Sequence, residues 1–74
     1  MNSDTFRTCI SSPPDREKLV AEIFFGDTQW AEITQEREVL TLELYPRKDG
    51  LPWVFDLEQA LTTLQAAKKR LSEN

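Results

Sequence analysis

The chain reads as an α+β domain: a three-stranded antiparallel β-meander followed by one C-terminal helix packed on one face. Three observations predict this. Three runs rich in β-forming residues lie between positions 18 and 45, separated by turn chemistry. The last of them alternates apolar and polar residues as Val39-Leu40-Thr41-Leu42-Glu43-Leu44. A leucine stripe of helical spacing then follows a capping signal at Asp56.

Taken in order, residues 1–17 include Asn2, Ser3, Asp4, Ser11, Ser12, Pro13, Pro14 and Asp15. They carry little periodicity and read as a flexible N-terminal tail, leaving 18–74 as a single domain. The first strand is expected over Lys18–Phe25. Its register is open, because a slip of one residue sends either Val20 and Phe24, or Leu19, Ala21, Ile23 and Phe25, to the outer face. Gly26-Asp27 suits a tight hairpin with glycine at its first turn position. The second strand is expected over Thr28–Thr34. A polar turn around Gln35, Glu36 and Arg37 leads to the third, over Glu38–Tyr45. With Leu40, Leu42 and Leu44 under the helix, a two-residue turn at Glu36-Arg37 puts Ala31 and Ile33 there too and Trp30 on the other face. Pro46 ends that strand, since it cannot donate to a ladder. Asp56 with Gln59 forms a capping-box pattern, and the helix is expected from Leu57 to Leu71. Leu57, Leu61, Leu64 and Leu71 lie on one side with Ala60 and Ala67. Lys68, Lys69 and Arg70 suit the negative end of the helix dipole.

Length and composition narrow the function. Seventy-four residues make one domain of marginal stability unless something supplements the core. Cys9 is the only cysteine and there is no histidine, so neither an internal disulfide nor a zinc site is expected. Oligomerisation is the remaining supplement. No apolar run approaches the roughly 20 residues that span a bilayer. Met1–Ile10 lacks the basic and apolar regions of a secretory signal, and the unpaired cysteine suits a reducing compartment, so a cytoplasmic location is expected.

Catalysis is not expected. An activated nucleophile needs a neighbouring base, and none is visible beside Cys9. Gly26 and Gly50 are the only glycines, too few for a phosphate-cradling loop, and no cofactor is implied. Glu22 and Glu32 face each other under one hairpin register, but paired acids on an open sheet are ordinarily solvated. The net charge of −4 is uneven: residues 18–45 carry six acids against Lys18 and Arg37, whereas 46–74 carry five bases against four acids. An acidic sheet repels phosphate backbones, which argues against nucleic acid despite the stacking platform that Phe24, Trp30 and Tyr45 would make.

Three surfaces are candidates for binding. The sheet reads as apolar on both sides, so the face opposite the helix, with Phe24, Trp30, Val39 and Tyr45, is an expected interface for a second copy or another protein. The competing reading folds the N-terminal tail over that face. Glu22, Glu32 and Glu43 form an expected acidic surface for a basic partner. In the Tyr45–Phe55 loop, Arg47, Lys48 and Trp53 could meet a small anion, although Trp53 and Phe55 serve as well to fasten the loop to the core.

Several segments carry a resemblance: Ala21-Glu22-Ile23, Trp30-Ala31-Glu32-Ile33, Tyr45-Pro46-Arg47, Asp49-Gly50, Pro52-Trp53 and Ala66-Ala67-Lys68-Lys69-Arg70-Leu71. Together they span about three-quarters of the chain and resemble small bacterial strand–strand–strand–helix proteins. Some of those resemble immunity-like partners of bacterial toxins, and others have no assigned role. The resemblance implies a bacterial cytoplasmic binding protein and names no cognate toxin. The expectation is a non-catalytic, homodimeric protein-binding module, with an immunity-type partner of a basic bacterial protein as the specific form the resemblance implies. The alternatives are a purely structural homodimer or subunit of a larger assembly, and a binder of small anions.

Overall fold

A computed structural model of the chain describes residues 5–73. It contains four strands and one helix: β1 (Phe6–Ser11), β2 (Val20–Phe25), β3 (Thr28–Thr34), β4 (Thr41–Leu44) and α1 (Leu57–Ser72). The strands form one antiparallel sheet in the order β1-β2-β3-β4. The α+β meander with a C-terminal helix is therefore present, but with four strands rather than three. The extra strand comes from the segment expected to be a tail, whose first four residues lie outside the described ones. Phe6, Thr8 and Ile10 alternate with Arg7, Cys9 and Ser11, and the run pairs fully with β2, from Phe6↔Phe25 to Ser11↔Val20.

The β2–β3 hairpin turns at Gly26, whose φ of +62° is the left-handed value that glycine adopts without steric cost. The β2–β3 register fixes Ala21, Ile23 and Phe25 on the helix side and Glu22 and Phe24 on the outside. Between Ile23 and Phe24 the ladder slips, because Ile23 pairs with Ala31 whereas Phe24 pairs with Gln29. Trp30 is the extra residue of this β-bulge. A bulge breaks the period of two, so Trp30 and Ala31 both reach the helix side. Trp30 is 5% exposed and belongs to the core with Ala21, Ile23, Ala31, Ile33, Ala67 and Leu71. The expectation that Trp30 points outward is thus corrected.

The turn before β4 is longer than expected, and the pairs are Thr34↔Thr41, Ile33↔Leu42 and Ala31↔Leu44. Relative to a two-residue turn this is a shift of two, which leaves every side chain on its expected face. Leu42 and Leu44 therefore do share the helix side with Ile33 and Ala31. They are not under the helix, however. α1 packs against β1 and β2, and the Arg70 guanidinium fastens its end by donating to the Thr8 carbonyl at 2.9 Å. Four strands span about 19 Å at about 4.8 Å each, whereas a helix with its side chains is about 10 Å across. One helix covers half of this sheet, and the fourth strand has drawn it to the β1 side.

The helix begins as its sequence indicates. The Asp56 carboxylate accepts from the Gln59 backbone N–H at 2.9 Å, satisfying one of the first-turn donors. Its leucines divide between two adjacent stripes. Ala60, Leu64, Ala67 and Leu71 face the chain's own sheet, while Leu57, Leu61, Leu64 and Lys68 run along the flank toward β4.

Candidate interaction surfaces

The outer face of the sheet is mainly polar, and Val20 on it is fully buried. Glu22, Glu32 and Glu43 stand directly opposite one another across β2, β3 and β4, so the predicted acidic residues do come together. Glu32 is buried, and Arg16, from the connection between β1 and β2, lies over it. The Arg16 guanidinium is 3.3 Å from the Glu32 carboxylate and 3.5 Å from that of Glu43. That connection is itself held down by Glu36, whose carboxylate accepts from the backbone N–H groups of Glu17 and Lys18. Gln35 donates to the Leu19 carbonyl beside it. The segment expected to be a tail thus closes over the outer face. Of the predicted apolar interface, Phe24 and Tyr45 lie on this face, Val39 is exposed in the β3–β4 loop, and Trp30 is in the core. The Arg7 guanidinium lies 4.3 Å from the centre of the Phe24 ring, covering it with charge. No contiguous apolar patch forms there.

Tyr45 completes the acidic row. Its hydroxyl donates to Glu32 at 2.9 Å and lies 3.5 Å from Glu43. Burial first, then the bond and charge of Glu32, push the phenol up to about 12 from 10.0. With the folded pKa above the unfolded one, this group's contribution to stability is full below pH 10 and is lost as pH rises through about 12. Tyr45 is the only tyrosine, so phenolate absorbance should report a midpoint well above 10, and Glu32→Gln should lower it. A midpoint at 10 in the intact protein would place the hydroxyl in water, away from Glu32.

The Tyr45–Phe55 loop is satisfied internally. Arg47 pairs with Asp49 at 2.8 Å and donates to the Pro52 carbonyl at 3.3 Å. The Leu51 backbone N–H, and then Arg47, hold the Asp49 carboxyl below its usual range. Gly50, at φ +79°, closes the turn. The Trp53 indole donates to the Tyr45 carbonyl at 3.0 Å. Phe55 packs among Phe6, Phe25, Trp30 and Trp53, with ring centres 4.7–5.4 Å apart. A cavity of about 430 Å³ opens beside this loop, lined by Arg47, Lys48, Asp49 and Trp53 among others. Its guanidinium is already neutralised by Asp49, which leaves Lys48 as the cation available to an anion.

The remaining surface was missed by the sequence reading. On the half of the sheet that α1 leaves open, Leu42 and Leu44 are 46% and 66% exposed, with Leu40 beside them. Leu57 and Leu61 are likewise exposed on the facing flank of the helix. Between floor and wall runs a groove of about 220 Å³ lined by Ile33, Leu40, Leu42, Leu64, Gln65 and Lys68. β4 is an edge strand, so its free backbone groups border this groove. The Tyr45 N–H bonds to the Trp30 carbonyl, so by alternation Glu43 and Thr41 point toward β3. Leu42 and Leu44 then present their N–H and carbonyl groups outward.

Among the described residues, no group of three or more acidic, cysteine or histidine side chains is placed to hold a metal ion. No described helix is long and apolar enough to cross a membrane. No family model, no curated protein and no solved structure matches the chain.

Proposed function

We propose that this is a non-catalytic protein-binding module acting in the cytoplasm, and that it binds through the leucine groove between β4 and α1. The observation that carries this reading is the row of large apolar side chains, Leu40, Leu42, Leu44, Leu57 and Leu61, exposed on one side of a 74-residue domain. A contiguous patch of that kind, bordered by an unpaired strand edge, is a surface built to be covered by protein. Docking of a basic partner on the acidic row has weaker support, because Arg16 already lies against two of the three carboxylates. Binding of a small anion by the loop has weaker support for the same reason, since Asp49 occupies Arg47.

A photoreactive amino acid at Leu42 tests the groove against the outer face. Crosslinking in cells should give one discrete protein adduct from position 42 and none from Glu22. An adduct from 22 alone, or none from 42, would reject the groove as the binding surface.

A further inference from the structure

Resting on the groove as a binding surface, we infer that its occupant is an extended strand of another protein. That strand adds antiparallel to the edge of β4 and carries a lysine or arginine between two large apolar residues. The backbone sets the mode. Leu42 and Leu44 turn their N–H and carbonyl groups to the open side of the sheet, and their side chains form the groove floor. An added antiparallel strand takes up those groups in two hydrogen-bonded pairs, one opposite Leu42 and one opposite Leu44. By strand parity the side chains of those two partner residues stand on the helix side. Large apolar groups there lie beside Leu42 and Leu44 and reach diagonally over them toward Leu40 and Leu64 in the groove.

Charge chooses the residue between them. It stands opposite Glu43 in the closer, non-hydrogen-bonded pairing, with Cα atoms about 4.5 Å apart. Glu43 is the end of a row, Cys9, Glu22, Glu32 and Glu43, that crosses the outer face at one level and stops at the open edge. Arg16 brings one positive charge to the row's three carboxylates, lying against Glu32 and Glu43. That ion pair still leaves the Glu43 side chain 39% exposed. A lysine or arginine in the next strand continues the row with the sign it lacks, whereas an acid there meets Glu43 directly. A second copy of this chain fits poorly. Its own β4 offers only Thr41 and Glu43 as outer-face residues, neither of them basic. Its helix, seated on β1 and β2, also lies too far away to cover the leucines of a neighbouring copy.

Selection of displayed peptides of about nine residues on the intact chain tests the strand. Enriched peptides should alternate apolar residues with a lysine or arginine, and exchanging that base for glutamate in a synthetic peptide should weaken binding about tenfold. Glu43→Gln should remove the preference for a base and Glu43→Lys should invert it, with circular dichroism verifying the fold of each. In hydrogen exchange the Leu42 and Leu44 amides should be open in the free chain and slow by about tenfold or more with the peptide bound. Peptides of helical spacing, a preference indifferent to Glu43, unprotected Leu42 and Leu44 amides, or no enrichment would each overturn the inference. The crosslink from Leu42 keeps the two conclusions separable: an adduct with a second copy, or with a helical segment of a partner, retains the binding groove without this strand, and no adduct removes both.

Discussion

Replacing Trp30 by alanine is expected to cost about 3–5 kcal/mol, a large share of the roughly 4–11 kcal/mol typical for a chain of this length. Trp30 is 5% exposed. Its ring packs against Phe6 and Phe55, with centres 5.9 and 4.7 Å away. Truncation would open a cavity beside two aromatic neighbours that are themselves anchored elsewhere and cannot collapse into it. Trp30→Glu should prevent folding, because it places a carboxylate in that cluster without a partner. Trp30→Phe separates packing from polarity. The indole N–H is buried and has no hydrogen-bond partner among the described residues, so losing it offsets part of the lost area. The phenylalanine variant should therefore stay close to the original in a denaturant titration. If instead Trp30→Glu kept the original midpoint and merely altered solution mass, the indole would have to lie on the surface and the β-bulge would be misplaced.

The bulge also shows why part of the architecture was legible and part was not. Thr28–Thr34, the hairpin at Gly26, the stop at Pro46 and the cap at Asp56 are local, and each was readable from a few neighbouring residues. The face shared by Leu42 and Leu44 with Ile33 survived a misjudged turn, because a shift of two preserves alternation. The fate of Trp30 depended on one extra residue in a ladder, which no periodicity signals. β1 was hidden for a different reason. Phe6-Arg7-Thr8-Cys9-Ile10-Ser11 does alternate, but the Ser- and Pro-containing stretch after it dominated the composition. Mistaking β1 for a tail had a large consequence for the site. A three-stranded sheet leaves nothing for the helix to neglect, whereas four strands displace it and expose the leucines of β4. Glu22, Glu32 and Glu43 stand opposite one another across three strands, but Arg16, which covers two of them, belongs to the segment whose composition reads as a tail.

A chain beginning at Ser12 should therefore fail to fold cooperatively. Without β1, α1 loses half its seat on the sheet. Phe6 and Ile10 leave the periphery of the core, and Ala21 and Ile23 come to line a raw sheet edge. The bond from Arg70 to the Thr8 carbonyl, which ties the last turn of α1 down, goes as well. Thermal melting followed by near-ultraviolet circular dichroism should show no sharp transition, and the truncated chain should bind a hydrophobic dye. Point substitutions give the same test without shortening the chain. By strand parity Ile10 faces the helix and Cys9 faces outward, paired with Glu22. Ile10→Asp should destabilise severely, since it buries a charge without a partner. Cys9→Ser, on the opposite face, should stay within about 0.5 kcal/mol. A truncated chain melting within a few degrees of the intact one, with Ile10→Asp equally harmless, would mean that 18–74 folds alone. The helix would then be free to sit over β3 and β4, and the leucine groove would close.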